Sequence, residues 1–119
     1  MLRYEKFTIG HAWAVEYGTA EKKIFFDNLV KYSPIHNVSK DLKYPSVFIY
    51  TADHDDRVVP AHSFKYAATM QEYVEKGDNP ILIRIGKSAG HGSGKPTTKI
   101  IQETADKWAF MFNEMGISY

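Results

Sequence analysis

The sequence predicts an α/β fold in which parallel strands lie between helices. Two short runs of β-branched and aromatic residues, at about 46–51 and 80–85, show little alternation, which is typical of strands buried on both faces. Helical patterns precede, separate and follow these runs, in the order helix, strand, helix, strand, helix. Because a helix is the usual connection between parallel strands, we expect the two strands to be parallel neighbours.

The first helix is predicted over about residues 20–32. Thr19 precedes it as a candidate N-cap, and Ser33-Pro34 follows it as a stop signal. Its apolar side chains recur at helical spacing: Ile24, Phe25, Leu29 and Tyr32. The segment before it, residues 1–18, is aromatic and irregular and ends at Gly18, so no regular element is expected there.

The second and third helices lie on either side of the second strand in the chain. Pro60 opens a helix over about 60–76, since proline at the first helical position lacks only an N–H that would have no partner. Gly77-Asp78-Asn79 is expected to close that helix. The last helix is predicted over about 96–115, with one apolar stripe that we expect to be buried: Ile100, Ile101, Thr104, Trp108 and Phe112.

Length and composition indicate a single domain and exclude several classes of function. The chain has 119 residues, 44% of them hydrophobic, a net charge of +1 and no cysteine. We therefore expect no nucleic-acid partner, no membrane partner and no thiolate metal site. No apolar segment reaches transmembrane length and the N-terminus lacks a signal core, so a cytoplasmic location is expected.

Two polar loops leave the predicted strands at their carboxyl ends, where open α/β sheets place ligand chemistry. The loop at 52–58 carries Asp53, Asp55 and Asp56, and the loop at 86–95 carries His91 between two glycines. A carboxylate that faces a histidine orients the imidazole and stabilises its charged form, as a general base requires. We expect the loops to lie side by side; the alternative is two solvated loops whose acids cap helices.

A G-x-S-x-G pattern at 86–90 raises the question of whether Ser88 is a nucleophile. In α/β-hydrolases the chain order is serine, acid, histidine, whereas Ser88 follows the acidic loop and shares one short turn with His91. We therefore reject Ser88 as the nucleophile. A Walker A phosphate loop is also rejected, because it requires glycine at Ala89 and serine or threonine at Pro96.

A metal site in the acidic loop is the remaining alternative. Asp53, His54, Asp55 and Asp56 carry suitable ligand atoms. However, successive ligands in one loop, without ligands from a second segment, fit no standard metal spacing. We expect no metal and no other cofactor.

Four segments resemble one known family. The strings TADHDDRVVP at 51–60 and AGHGSGKPT at 89–97 resemble the C-terminal stretch of the prolyl oligopeptidases, which are proline-specific serine endopeptidases. KFTIGHAWAVEYG at 6–18 and LVKYSPIHNV at 29–38 resemble the same family just upstream. The resemblance covers essentially the whole chain in order, and it implies a partial α/β-hydrolase fold and proline-containing peptides as substrates.

The resemblance also implies a role for particular residues. Asp55 would be the acid of a catalytic triad and His91 its general base. The proline of the substrate would be recognised by Trp13, Tyr17, Arg57 and Val58, with the indole stacked on the proline ring and the guanidinium on a neighbouring carbonyl. From the residues alone, a core aromatic is the favoured interpretation of Trp13, and Arg57 could pair with Asp53 or Asp56 on the surface.

The chain departs from the family pattern in one important respect. The nucleophilic serine of the family lies in an upstream segment, as does its β-propeller, and neither is expected within residues 1–119. The upstream half of the hydrolase domain is therefore an expected partner, and self-association is expected without it. Two alternatives stay open: a module that binds proline-containing peptides through Trp13 and Arg57, and a fragment without function.

Overall fold

The structure, a computed structural model, describes residues 1–74, 79–92 and 94–118. Among these residues, strands β1 (Val47–Ala52) and β2 (Ile81–Gly86) form a parallel sheet in which Val47 pairs with Ile81 and Ala52 with Gly86. The helices are α1 (Ala14–Tyr17), α2 (Lys23–Tyr32), α3 (Ala61–Tyr73) and α4 (Thr97–Glu114). The predicted fold class and parallel pairing are confirmed, and each strand lies one residue later than predicted.

Helices α3 and α4 lie against opposite faces of the sheet. On one face, Phe48 of β1 stacks on Phe110 of α4 with ring centroids 5.1 Å apart. The next residue, Ile49, points to the other face and lines a cleft together with Ala61 and Tyr66 of α3. Strand β1 therefore meets a helix on both sides, which fits its apolar, weakly alternating sequence, whereas Leu82 and Ile85 of β2 stay 45% and 41% exposed.

The first 18 residues form helical turns, so the prediction of an irregular segment was wrong. Two 3₁₀ helices, Tyr4–Lys6 and Thr8–Trp13, lead directly into α1. The hydroxyl of Tyr4 donates to the carbonyl of Gly18 at 2.8 Å, which closes the segment on itself. Gly10 lies against the Tyr4 carbonyl so closely that a Cβ at this position would be 2.1 Å from the oxygen. We call residues 1–18 the N-terminal coil.

Helix α2 begins at Lys23 rather than at residue 20, because Thr19 caps the turn before the helix. Its Oγ1 accepts the N–H of Glu21 at 3.2 Å and donates to Glu5 at 2.7 Å. Ser33 ends the helix, as predicted. Of the predicted apolar side chains only Leu29 is fully buried, and Ile24 is 75% exposed.

Helix α3 follows Pro60, as predicted, and ends at Tyr73 rather than at residue 76. Residues 77 and 78 of the predicted closing turn lie outside the described residues. No helix of the described residues is both long enough and apolar enough to cross a bilayer.

The predicted buried stripe of α4 faces outward, and this is a correction. Ile100, Ile101 and Trp108 are 47%, 63% and 50% exposed. The side that faces the sheet instead carries Glu103, which is buried, and Phe110. Hydrophobic spacing could not reveal this, because the sheet presents Tyr50 and Arg84 to the helix and so accepts a carboxylate there.

The described part of the chain is flat and poorly enclosed. Its extents are 51 × 41 × 20 Å and its radius of gyration is 16.5 Å, whereas a compact domain of this length has about 13.5 Å. Its accessible area is 8508 Å², compared with roughly 6,600 Å² for a monomer of this mass. The fold therefore leaves large apolar faces exposed on both sides of the sheet.

Candidate active site

The two polar loops predicted to carry the chemistry lie side by side. Ala52 and Gly86, the last residues of β1 and β2, are paired across the parallel sheet, so the chain leaves both strands at the same edge. Two backbone hydrogen bonds extend this pairing into the loops: the N–H of Asp53 donates to Gly86 at 3.0 Å and that of His54 donates to Ala89 at 3.1 Å.

Asp55 and His91 are in direct contact. Nδ1 of His91 lies 2.8 Å from Oδ2 and 3.0 Å from Oδ1 of Asp55. The Asp55 side chain is 11% exposed and that of His91 is 41% exposed, so the carboxylate is shielded while the imidazole reaches solvent. Nε2 of His91 has no hydrogen-bond partner within the described residues, which leaves it available to an incoming group.

The backbone of the acidic loop holds the Asp55 carboxylate in place. Oδ1 accepts the N–H of Arg57 at 2.9 Å and that of Val58 at 2.8 Å. Burial by itself raises the pKa of Asp55, but the hydrogen bonds from Val58, His91 and Arg57 outweigh it and hold the pKa below its usual value. Asp55 is therefore ionised at neutral pH and oriented toward the imidazole before any substrate arrives.

Asp53 has a different role, since it fastens the two loops together. Its carboxylate accepts the N–H of Ser88 at 2.9 Å and that of Ala89 at 3.2 Å, and it contacts Nδ1 of His54 at 2.8 Å. The hydrogen bonds from His54 and Ser88 lower the pKa of Asp53 well below its usual range. Asp53 thus spans from the end of β1 to the segment that carries His91.

The ionisable side chains of the acidic loop do not gather into a group of metal ligands. No group of three or more potential ligand side chains gathers within the described residues. Asp53 and Asp55 are each occupied by separate backbone donors, and Asp56 is exposed. Asp53 and Asp55 thus face different partners, and Asp56 faces solvent.

A cleft of about 1020 Å³ lies between the N-terminal coil, the acidic loop and α3. All four predicted substrate-binding residues line it: Trp13, Tyr17, Arg57 and Val58. Trp13 is half-buried, so it is a wall of this cleft as well as a packing residue. The lining is mainly apolar, as expected of a small-ligand or peptide pocket.

One hydrogen bond joins the cleft to the acidic loop. Oγ1 of Thr8 donates to the carbonyl of Arg57 at 2.7 Å, which ties the N-terminal coil to the residue two positions after Asp55. The guanidinium of Arg57 is exposed and makes no ion pair within the described residues. The alternative of pairing with Asp53 or Asp56 is therefore not observed, and the cation stays free for a ligand carbonyl.

Ser88 is held as part of a turn. Its backbone has a left-handed φ of 50° and its N–H is bound by Asp53. No hydrogen bond joins the Ser88 side chain to His91 within the described residues.

The other histidines contact local groups. His11 contacts the carbonyl of Thr8, His36 contacts the hydroxyl of Ser33, and His54 contacts the carboxylate of Asp53. His62 packs edge-on against Phe7, and burial lowers its pKa.

Sequence reasoning missed a buried polar cluster beside the site. Nζ of Lys95 donates to the Tyr50 hydroxyl at 2.6 Å and to both carboxylate oxygens of Glu103 at 3.0 and 3.2 Å. Lys95 and Glu103 are only 8% and 9% exposed. The residues are far apart in the chain and share no motif, so only their packing between sheet and helix reveals them. We call Lys95, Glu103 and Tyr50 the buried cluster.

Comparison with known proteins shows the family. The sequence profile of the prolyl oligopeptidase family matches residues 1–118. The chain belongs to the prolyl oligopeptidase family. It corresponds to a C-terminal part of these proteins and spans about one sixth of the length of the curated relatives it matches.

Several curated members of the prolyl oligopeptidase family are close in sequence. The prolyl endopeptidase of Elizabethkingia meningoseptica is 53% identical over 118 residues, which are 98% of this chain and 17% of that protein. Prolyl oligopeptidase A of Amanita bisporigera is 49% identical over the whole chain, which covers 16% of it. The dual function macrocyclase-peptidase of Galerina marginata is 45% identical over 118 residues, 98% of this chain and 16% of that protein.

Solved members of the prolyl oligopeptidase family share the fold. Prolyl oligopeptidase B from Galerina marginata, bound to a 35-residue hydrolysis and macrocyclization substrate, superposes with a TM-score of 0.93 at 44% identity, covering 100% of this chain and 17% of that one. A post-proline cleaving enzyme from Rickettsia typhi superposes with a TM-score of 0.90 at 28% identity, with 100% and 17% coverage. The arrangement of the sheet, loops and N-terminal coil is therefore that of the family.

Proposed function

We propose that this chain supplies the acid, the base and part of the proline pocket of a serine peptidase that cleaves peptides after proline. The observation that carries the proposal is the contact of His91 Nδ1 with both oxygens of Asp55. In this arrangement neutral His91 donates from Nδ1 and presents Nε2 as an acceptor. The names of the relatives support the substrate class, since those proteins are prolyl endopeptidases and prolyl oligopeptidases.

The chemistry expected of the pair follows from its geometry. Nε2 of His91 takes the proton of an attacking serine hydroxyl and later returns it to the leaving amine. The ionised Asp55 stabilises the imidazolium that forms between these two steps and keeps the imidazole in the required orientation. The serine comes from another segment of the domain, because Ser88 lies in a turn held by Asp53.

Recognition of proline follows from the cleft. A proline ring has apolar faces and no N–H, so it gains from an aromatic wall and needs no acceptor at that position. Trp13, Tyr17 and Val58 offer apolar surface in the cleft, and Arg57 offers a free cation for the preceding carbonyl. Because Arg57 lies two residues after Asp55, the acidic loop contributes to both the pocket and the catalytic pair.

A hybrid protein tests this function. The chain is joined to the upstream part of the Elizabethkingia meningoseptica prolyl endopeptidase, and hydrolysis of matched peptides with proline or alanine before the scissile bond is measured. We expect the proline peptide to be preferred by roughly 10–200-fold, the range that apolar pockets achieve. Trp13→Ala should abolish the preference, whereas Trp108→Ala, on the exposed face of α4, should retain it.

The proposal fails if the folded hybrid cleaves both peptides equally well, or if the two tryptophan variants behave alike. A hybrid that folds but cleaves neither peptide also contradicts it, provided that the parent endopeptidase is active in the same assay.

The alternative of a peptide-binding module has one observation in its favour: all four pocket residues line a single cleft within this chain. Equilibrium binding of a proline-containing peptide to the 119-residue chain distinguishes the two functions. Binding that is lost on Trp13→Ala, together with an inactive hybrid, would favour the module.

A further inference from the structure

The segment that carries His91 is anchored at two points. The first anchor lies before His91, where Asp53 accepts the N–H groups of Ser88 and Ala89 and where the carbonyl of Ala89 accepts from His54. The second lies four residues after His91, where the side chain of Lys95 is inserted between the sheet and α4. The segment leaves the sheet at Gly86 and enters α4 at Thr97.

The imidazole has little support of its own. It is 41% exposed, and the Asp55 carboxylate is its only hydrogen-bond partner within the described residues. Glycines flank it on both sides, and Gly92 has a φ of 141°, which L side chains rarely adopt. The backbone next to His91 is thus intrinsically permissive, and the ring itself is held only by Asp55 among the described residues.

The second anchor is a buried ion pair with complete hydrogen bonding. An ammonium group has three donors, and that of Lys95 is matched by the Tyr50 hydroxyl and the two oxygens of Glu103. Glu103 also lies 3.7 Å from the guanidinium of Arg84, which in turn pairs with Asp106. The cluster therefore joins β1, β2 and α4 to the end of the His91 segment.

Burial makes this anchor specific. Charged groups removed from water are tolerated only when their partners are correctly placed, so the buried ammonium has one favourable position. The hydrogen bond to Tyr50 is the largest influence on Lys95; with that to Glu103 it outweighs burial and raises the pKa of the ammonium, which stays charged at neutral pH. Gly86 leaves room for the carboxylate, since a Cβ there would lie 3.3 Å from Oε1 of Glu103.

We propose that Lys95, held by Glu103 and Tyr50, is a positioning residue that keeps His91 in register with Asp55. Lys95 is not proposed to touch substrate; it acts by fixing the chain four positions after the imidazole. The inference rests on the proposed function only for its catalytic meaning, because the Asp55–His91 contact can be measured in the absence of turnover.

The test measures the tautomer of His91 in the 119-residue chain by ¹⁵N NMR, with the imidazole in its neutral form. Pairing with Asp55 stabilises the Nδ1–H form. We expect this signal in the unaltered chain and its loss in Lys95→Met, while the amide signals of β1 and β2 keep their positions. Lys107→Met is the matched control, because Lys107 also lies over the Tyr50 ring, at 4.4 Å, but outside the buried cluster.

A double variant separates positioning from simple stability. Lys95→Met alone leaves the Glu103 carboxylate without its ammonium partner and could weaken the fold. Lys95→Met/Glu103→Met removes both charges, and replacing a buried pair with apolar residues often preserves stability. We expect the double variant to recover the melting temperature without recovering the Nδ1–H signal. Hydrogen exchange of peptides covering residues 86–96, followed by mass spectrometry, gives the same comparison in any association state.

Two results would overturn the proposal. One is an Nδ1–H signal and slow exchange in the folded Lys95→Met chain. The other is recovery of both in the double variant, which would reduce the ion pair to a structural role. Neither result depends on peptidase activity, so an inactive hybrid with an intact Lys95 effect would contradict the proposed function and leave this inference standing.

Discussion

At the residue scale, the difference between Asp53 and Asp55 is the most informative feature of the site. The two carboxylates are separated by one residue and both accept backbone N–H groups. Asp53 receives its donors from the opposite loop and so fixes the loops to each other, whereas Asp55 receives them from its own loop and turns its remaining oxygen toward His91. Neighbouring acids thus occupy different positions, one joining the two loops and the other facing the imidazole.

These contacts predict how the chain responds to acid. Hydrogen bonds hold the pKa values of Asp53 and Asp55 below the value of about 3.9 found in unfolded chains. A lowered pKa stabilises the fold above the unfolded value, and the contribution disappears as the pH falls through the folded value. We expect the free energy of unfolding to decrease below about pH 5, and Asp53→Asn to flatten that decrease.

Urea unfolding at several pH values measures this effect. Asp56→Asn is the control, since Asp56 is exposed and accepts no hydrogen bond within the described residues. Identical pH dependences for the Asp53 and Asp56 variants would show that the cross-loop hydrogen bonds contribute nothing.

Part of this site could be predicted from the sequence. The placement of Asp55 and His91 at neighbouring strand ends follows from the α/β pattern, and their contact is present in the structure. The choice of Asp55 over Asp53 came from family resemblance, because spacing alone treats both acids alike. Lys95 escaped prediction because a lysine in a glycine-rich loop looks like a solvated surface residue until its burial is known.

At the scale of elements, the N-terminal coil depends on one close backbone contact. Gly10 faces the carbonyl of Tyr4, and a Cβ would lie 2.1 Å from that oxygen. We expect Gly10→Ala to destabilise the coil by about 1–3 kcal/mol, as overpacking usually does. Hydrogen exchange of peptides from residues 1–18 should accelerate, and peptides from β2 should not. Ala12→Ser, at an exposed position, is the control.

Unchanged hydrogen exchange of the coil in Gly10→Ala would contradict the packing described for it.

The structure of the coil could not be predicted from hydrophobic periodicity. Its turns are built on aromatic and glycine contacts such as Tyr4 with Tyr17, which leave no periodic signal in the sequence. Helix α4 shows the same limit in another way, because its apolar stripe is real but faces away from the sheet. Periodicity identifies an amphipathic helix without identifying what covers its apolar side.

At the scale of the whole molecule, the chain exposes more apolar surface than a monomeric domain usually does. Ile24, Ile101 and Met115 are each more than 60% exposed, and the largest fully enclosed side chains of the described residues are Leu29, Met70 and Ser33. Fully burying one large apolar side chain contributes about 1.5–3 kcal/mol, against a typical domain stability of 5–15 kcal/mol. Cover for several such residues would therefore change the stability substantially.

We expect the 119-residue chain to self-associate or to be only marginally stable, and to be stabilised by the upstream half of a prolyl oligopeptidase hydrolase domain. Light scattering and thermal melting, with and without that half taken from the Elizabethkingia meningoseptica relative, measure this. An unrelated α/β fragment of similar size serves as the control. A monomeric chain with a sharp melt that the upstream half leaves unchanged would contradict the expectation.

The chain by itself should not cleave proline-containing peptides above background. A histidine without a paired nucleophile provides no covalent route, and the turn that holds Ser88 is fixed by Asp53. Hydrolysis of a chromogenic proline peptide by the purified chain, abolished by Ser88→Ala, would overturn the assignment of the nucleophile to another segment.

We infer that Asp55 and His91 act as one catalytic unit, and a double-mutant cycle on the hybrid peptidase measures this coupling. We expect Asp55→Asn and His91→Ala each to reduce kcat/KM for the proline peptide by about 10⁴-fold or more. The double variant should be little worse than His91→Ala alone, because residues that act as a unit are strongly non-additive. Multiplicative losses, or nearly full activity in Asp55→Asn, would contradict the account.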